Sequence, residues 1–320
     1  MPTKILITDG LANDGLDILK SEKSFELDVR KATDAAELLK LIPGYDCLVV
    51  RSATKVTREV IEKGTQLKLI CRAGAGVDNV DVEAATRKKI TVMNTASANS
   101  QAAAEQAIAL MFAALRQVPQ AHESMKAGRW DRANFTGLEA TGKTLGVLGL
   151  GNIGRIVADR AIGLRMKVVG YDPLVKNPSQ LPAEIRDKVA MRNSIEEVLK
   201  EADIVTLHLP LIKETKGLFN RDRLMQMKDG AFLINCARGG LVDEDAVADL
   251  LSSGKLRGAA FDVFAEEPVK SPSKLVQNAK AIVTPHLGAS TAEAQLRVGI
   301  TAAQQMVGFF TRGERTGVLN

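Results

Sequence analysis

The stretch "GVLGLGNIGRIVA", residues 146–158, decides the fold. Gly149, Gly151 and Gly154 stand in the order G-x-G-x-x-G directly behind the apolar run 145–148. Such a run reads as a buried strand, and residues 155–163 behind it read as a helix. In that setting Gly149 allows a tight turn, Gly151 lets an anion approach the backbone, and Gly154 lets the helix pack close on its strand. The helix start also offers unbonded amides and the positive end of its dipole, which suits a phosphate. Glycines so spaced can equally do no more than turn a strand into a helix, so the companion residue matters. The next strand, residues 167–171, ends at Asp172, 23 positions after Gly149. An acid about 20 residues on accepts ribose hydroxyls and repels a 2′-phosphate, so the expected dinucleotide is NAD rather than NADP. The plainer reading, an Asp before Pro173 that opens a turn, stands beside it.

Outward from this motif the chain alternates short β-rich runs with amphipathic stretches, the pattern of parallel sheets covered by helices. Before it, residues 4–8, 27–29, 46–50, 67–71 and 90–93 read as strands, with helices in "DGLDILKSE", "DAAELLKLI", "REVIEKG" and "DVEAATRKK". A long helix over residues 100–118, ended by Pro119, separates this series from a second one. The second series has strands at 145–148, 167–171, 189–191, 204–207, 231–235, 258–263 and 281–284, with helices in "SIEEVLKEA", "DRLMQMKDG" and "DEDAVADLLSSG". A last helix, from about residue 292 to 310, has no place in the second alternation. The expected fold class is therefore α/β, with two doubly wound parallel-sheet lobes.

Composition narrows the function. At 320 residues the chain is long enough for two cores, and 45% hydrophobic with 25% charged residues is ordinary for a soluble protein. Only 4% of residues are aromatic, which argues against stacking on single-stranded nucleic acid. The net charge of +5 is modest and interspersed with acids, so no nucleic-acid partner is expected. No apolar stretch reaches transmembrane length, and "MPTKILITDG" reads as a strand rather than a signal peptide. Cys47, Cys71 and Cys236 lie in apolar runs without a C-x-x-C, so they read as reduced and structural. A cytoplasmic protein with no metal site and no membrane partner is expected.

Hydride chemistry at an alcohol carbon needs a base for the hydroxyl proton, a cation for a neighbouring carboxylate and a group that tunes the base. His286 follows the strand "AIVTP" and precedes "LGAS", at a strand's C-terminal end where α/β sheets place ligands. An imidazole is matched to proton transfer near neutral pH. His122, in a polar helical stretch, reads as exposed, and His208, behind an apolar strand, reads as a packed or loop histidine. Arg238 in "LINCARGG" can grip a carboxylate with two prongs. Glu267 in "FDVFAEEP" would hold the histidine's tautomer and raise its pKa. Each of the two alone reads equally as half of a surface ion pair; three polar residues at three strand ends of one lobe favour the catalytic reading.

The motifs "LGLGNIGRIVA", "INCARGGLVDEDA", "GAAFDVFAEEP" and "TPHLGAS" together resemble the NAD-dependent D-isomer-specific 2-hydroxyacid dehydrogenases over nearly the whole chain. The resemblance implies a catalytic set of Arg238, Glu267 and His286. It implies a cofactor site of Gly149, Gly151, Asn152, Ile153, Gly154, Asp172, Cys236, Ala237, Arg238, His286 and Gly288. Asp262 would meet the nicotinamide carboxamide, and His208, Leu209 and Pro210 would form a loop over the adenosine. It also implies that a Rossmann NAD-binding lobe, residues 97–285, is inserted into a discontinuous flavodoxin-like substrate lobe, residues 1–96 and 286–320, with the cleft where they meet.

The segments "LVVRSATKVT", "CRAGAGVDNVDVEAATRK" and "WDRANFTG" are similar to the branch of that family that oxidises 3-phosphoglycerate in serine biosynthesis. A small anionic, phosphorylated 2-hydroxy or 2-keto acid follows as the implied substrate. Arg51 and Arg72, each at the end of a strand, would hold its phosphate, and the backbone of Gly74, Ala75 and Gly76 its carboxylate. Arg132 would reach into a partner's site in a homodimer or dimer of dimers, joined through the helix at 98–118 and the "RWDRANF" arm. The alternatives are a glyoxylate, hydroxypyruvate or other 2-keto acid reductase, and an NAD(H)-responsive corepressor of the same fold.

Overall fold

Runs of Val, Ile and Leu with no polar face, such as Cys47–Val50 with all four residues buried, demand cover on both sides. The computed structural model, which describes residues 1–270 and 272–320, supplies that cover with helices in two compact units, Met1–Ser100 with Ala289–Asn320 and Gln101–Gly288.

The first unit runs β1 (Thr3–Ile7), α1 (Asn13–Ser21), β2 (Phe25–Val29), α2 (Ala35–Leu41), β3 (Cys47–Val50), α3 (Arg58–Lys63), β4 (Leu69–Arg72), α4 (Val82–Arg87) and β5 (Thr91–Asn94). Its five strands are parallel in the order β2-β1-β3-β4-β5. Alternate residues serve opposite faces: Leu6, Leu48, Ile70 and Val92 pack with Leu38, Val60 and Ala84, while Ile5, Cys47, Leu69 and Met93 face the other core. Residues 317–320 close the β5 edge. Leu319 N–H donates to Val92 O (2.9 Å) and Val318 bridges Met93 in antiparallel sense.

Helix α5 (Ser100–Arg116) does not continue to residue 118. Gln117 adopts left-handed backbone (φ 50°), and α6 (Val118–Lys126) starts behind it with Pro119 in its first turn. There the missing N–H costs nothing, so the proline opens a second helix rather than closing the first.

The second unit continues β6 (Thr144–Leu148), α7 (Asn152–Gly163), β7 (Lys167–Tyr171), α8 (Ala183–Arg186), β8 (Val189–Met191), α9 (Ile195–Glu201) and β9 (Ile204–Leu207). It ends with α10 (Arg221–Leu224), β10 (Ala231–Asn235), α11 (Glu244–Ser253), β11 (Leu256–Phe261), α12 (Lys274–Gln277) and β12 (Ala281–Val283). All seven strands are parallel, ordered β12-β11-β10-β9-β6-β7-β8. These are the flavodoxin-like and Rossmann strand orders, with switch points between β1 and β3 and between β6 and β9. No helix among the described residues is long and apolar enough to cross a membrane.

Other elements differ from the sequence reading as well. The helix in "DRLMQMKDG" is one turn, Arg221–Leu224, and Gly230 (φ 74°) then turns the chain into β10. Strand β11 begins and ends two residues earlier than 258–263. Finally α13 (Ala292–Val307) gives way to a π-helical turn at Gly308–Arg312.

Candidate active site

Strands β6 and β9 are neighbours at the second unit's switch point, and the loops behind them meet. Gly149 (φ 94°) brings the chain so close to β9 that a Cβ there would lie 2.5 Å from His208 O. Gly154 is tighter still, since its Cβ would fall 1.9 Å from Gly149 O. Around Gly151 a Cβ would meet nothing within 4 Å, so that face of the loop is open. Gly151 caps α7 without a side-chain acceptor, leaving the first-turn amides of Asn152 and Ile153 for an anion. A tight loop, an open face and uncapped amides fit the diphosphate of a dinucleotide.

Asp172 serves this loop directly. Its Oδ2 accepts the Leu150 amide (2.8 Å) and its Oδ1 the Leu174 amide (2.8 Å). The turn-opening role weighed in the sequence is therefore real, and it coexists with lone pairs still available to a ribose. His208 is held by its amide on Leu148 O (2.8 Å) and by Nε2 beside Thr206 Oγ1 (3.0 Å). Burial pushes its pKa down to about 4, so the ring is neutral at pH 7. Leu209 is half-buried beside Gly149, and Pro210 is exposed with its carbonyl accepting from Thr215 Oγ1 (2.6 Å). His122 is exposed on α6, as expected.

The catalytic candidates come together at the ends of β10, β11 and β12. Behind β10, Asn235 accepts the Ala237 amide (3.1 Å) and donates to Arg238 O (3.0 Å), clasping the turn that carries Cys236, Ala237 and Arg238. Gly239 lets this turn abut β11's loop, since a Cβ there would sit 1.7 Å from Phe264 O. Phe264 N–H in turn donates to Glu267 Oε1 (3.0 Å). Glu267 Oε2 lies 2.7 Å from His286 Nδ1.

Burial pulls the Glu267 carboxyl up, but the hydrogen bonds from His286 and Phe264 outweigh it and leave the group below its ordinary pKa. An ionised carboxylate only accepts, so Nδ1 carries the proton and Nε2 is the basic nitrogen. The His286 pKa is raised, chiefly by the hydrogen bond to Glu267, with burial and the Arg238 charge opposing.

His286 occupies left-handed backbone (φ 55°), rare for a residue with a side chain. Asp262, which is fully buried, enforces that turn. Its main-chain oxygen accepts the His286 amide (2.8 Å), Oδ1 accepts Leu287 N–H and Thr284 Oγ1, and Oδ2 accepts Gly288 N–H (2.8 Å). Gln106 of α5 adds weaker bonds to Asp262 Oδ1 and Thr284 Oγ1. Cys236 is buried beside Asp262, and burial pushes its thiol well above its ordinary pKa, so it is inert.

In the first unit, Arg51 follows β3 and Arg72 ends β4. Gly74 packs on Arg72, whose Nη1 would lie 1.5 Å from a Cβ at position 74. Asn94 Nδ2 donates to Ala75 O (2.7 Å) and the Thr95 amide to Gly74 O (3.0 Å), so the loop of Gly74, Ala75 and Gly76 is tied to the end of β5. Arg132 is exposed in a 3-10 turn, and its expected role requires a second subunit.

Residues 108–288, which contain the glycine loop and all three catalytic candidates, match the family described as D-isomer specific 2-hydroxyacid dehydrogenase, NAD binding domain. The chain belongs to the D-isomer-specific 2-hydroxyacid dehydrogenase family. The chain is 48% identical over 305 residues to the D-3-phosphoglycerate dehydrogenase of Methanocaldococcus jannaschii, an alignment covering 95% of this chain and 56% of that protein. It is 42% identical over 305 residues to the hydroxypyruvate reductase of Thermotoga maritima, covering 95% and 97% of the two chains. Among solved structures, a Thermus thermophilus protein superimposes with a TM-score of 0.89 at 35% identity, covering 99% of this chain and 100% of that one. The chain spans about half the length of the D-3-phosphoglycerate dehydrogenases it matches.

Asp262 and Asn235 carry more of this site than their place in the sequence suggested, and Gln106 was not singled out at all. Their partners are distant in sequence, so no local spacing marks them. The available signal is an Asn or Asp at the C-terminal end of an apolar strand.

Proposed function

We propose that the chain oxidises D-3-phosphoglycerate to 3-phosphohydroxypyruvate with NAD⁺. The observation that carries the reaction type is the Glu267–His286 pair, with Nδ1 engaged and Nε2 left basic. The substrate assignment is supported by the identity with D-3-phosphoglycerate dehydrogenases and by Arg51 and Arg72, cations suited to a phosphate.

In the oxidative direction His286 Nε2 takes the C2 hydroxyl proton, and Glu267 stabilises the imidazolium that forms. Arg238 binds the substrate carboxylate and polarises the oxygen that becomes a carbonyl. The glycine loop, Asp172 and the α7 amides would hold NAD⁺, which when bound would supply the acceptor for the hydride leaving C2. In reverse, the imidazolium returns the proton to the carbonyl oxygen.

Val118, Met125 and Trp130 are 54%, 53% and 74% exposed, which supports a homo-oligomer built on α6 and the arm that follows. The three buried free thiols support a reducing, cytoplasmic setting.

The second reading is a hydroxypyruvate reductase, favoured by the Thermotoga maritima relative that this chain matches over nearly its whole length. Steady-state NADH oxidation with 3-phosphohydroxypyruvate, hydroxypyruvate and glyoxylate separates the two. The phosphorylated acid should give the highest kcat/KM; a preference for either unphosphorylated acid overturns the assignment.

A further inference from the structure

Open α/β sheets bind ligands beyond the strand ends at the switch point, which in the first unit lies between β1 and β3. Two side chains outside the expected site meet there. Asp9, behind β1, accepts the Arg51 amide (2.7 Å) and the Thr54 amide (3.1 Å) on Oδ2, and the Thr54 hydroxyl (2.6 Å) on Oδ1. Asn79, behind β4, donates both hydrogens of Nδ2, to Arg51 O and to Thr54 O, each at 2.7 Å. The Arg51 residue is thus gripped at its N–H and at its carbonyl, just where the ladder of β3 has run out of strand partners. Asp9 spends its acceptors on the loop's amides and hydroxyl.

The geometry points to Asp9 and Asn79 as positioning residues for Arg51, fixing where its guanidinium meets the substrate's phosphate and so setting the preference for phosphorylated over unphosphorylated acids. This rests on the phosphate reading of Arg51 given above. A guanidinium on a free loop would bind phosphate at an entropic cost that the clamp removes before the substrate arrives. None of the clamp's bonds involves Glu267 or His286, so the proton-transfer pair is left alone.

The test measures kcat and KM for NADH-dependent reduction of 3-phosphohydroxypyruvate and of hydroxypyruvate by the full chain, in wild type and in Arg51→Ala, Asp9→Ala and Asp9→Asn. Arg51→Ala should raise KM for the phosphorylated acid selectively. Asp9→Ala should raise that KM about tenfold, the worth of one charged contact, with kcat and the hydroxypyruvate KM nearly unmoved. Asp9→Asn should recover most of the loss, because its carbonyl still accepts the two amides and its NH₂ meets a hydroxyl that can accept. If Asp9→Ala fails to fold, Thr54→Val, which deletes one donor to Asp9, should shift the same KM in the same direction by a smaller factor. Equal losses for both acids in the Asp9 variants, or none, while Arg51→Ala stays selective, overturn the clamp and leave the phosphate reading standing. A non-selective Arg51→Ala overturns both.

Discussion

Glu267 Oε2 and His286 Nδ1 stand 2.7 Å apart, and this one bond sets the protonation behaviour of the site. It raises the imidazole pKa and lowers that of the carboxyl. Oxidation needs the neutral ring, so its acidic limb should lie above the ordinary imidazole value of about 6.5. Glu267→Gln should move that limb to lower pH and reduce kcat; an unmoved limb in a pH–rate profile would remove Glu267 from the tuning role. The same pair contributes to folding with a definite sign. The raised histidine stabilises at low pH and loses that contribution as pH climbs through its folded pKa. The depressed carboxyl stabilises at high pH and loses its contribution as pH falls through its own folded pKa. The pair therefore stabilises most between the two, and thermal unfolding of Glu267→Gln should show less pH dependence across neutrality.

His286→Ala should cut kcat by about 10²–10⁴-fold, the usual worth of a general base. NADH binding, followed by fluorescence titration, should be nearly unchanged, because the diphosphate loop is built from β6, α7 and Asp172. Wild-type turnover in this variant would refute the assignment.

Two glycines of α7 should respond in opposite ways. Gly154→Ala puts a methyl 1.9 Å from Gly149 O and must displace the loop, so NADH affinity should fall steeply. At Gly163 a methyl meets nothing within 4 Å, and Gly163→Ala should stabilise by about 0.5–1 kcal/mol with NADH affinity intact. Titration and chemical denaturation of the two variants check both halves.

Asn320 fastens the C-terminal segment. Its Oδ1 accepts the Val92 amide (2.9 Å), and its Nδ2 donates to Thr86 Oγ1 and Ile90 O, each at 2.9 Å. Asn320→Ala should lower stability by about 1.5–4.5 kcal/mol, from three hydrogen bonds at an ordinary net worth of about 0.5–1.5 kcal/mol each. A urea midpoint equal to wild type would show that the segment adds nothing to the β5 edge.

The two parallel sheets were legible because strands buried on both faces announce themselves as unbroken apolar runs, as in "CLVV" and "AFLIN". The glycine loop was legible because the turn between a strand and a helix is set by the local spacing of its glycines, and His286 was legible only as a residue at a strand end. What escaped was set by geometry between distant residues. Pro119 looked like a helix stop, yet the break comes from the left-handed Gln117 two positions earlier, and proline is harmless in a first turn. Asp172 was read for what it offers a ribose, while its hold on the Leu150 amide depends on how β7 lies beside β6. The clamp of Asp9 and Asn79 on Arg51 spans 42 and 28 positions, beyond any spacing rule.

Helix α13 has a consequence for biogenesis. Its Val298, Ala302, Ala303 and Met306 complete the core beneath Ile5, Cys47 and Leu69, and it crosses α1 where Gly15 and Gly299 nearly touch. A chain emerging from the ribosome delivers its first hundred residues long before this keystone is made. Gln101–Gly288 is contiguous and can collapse as soon as it is released, so the later-translated unit matures first. Nascent chains halted after residue 288 would leave one apolar sheet face covered by α1 alone, the surface a chaperone would shield until α13 is made.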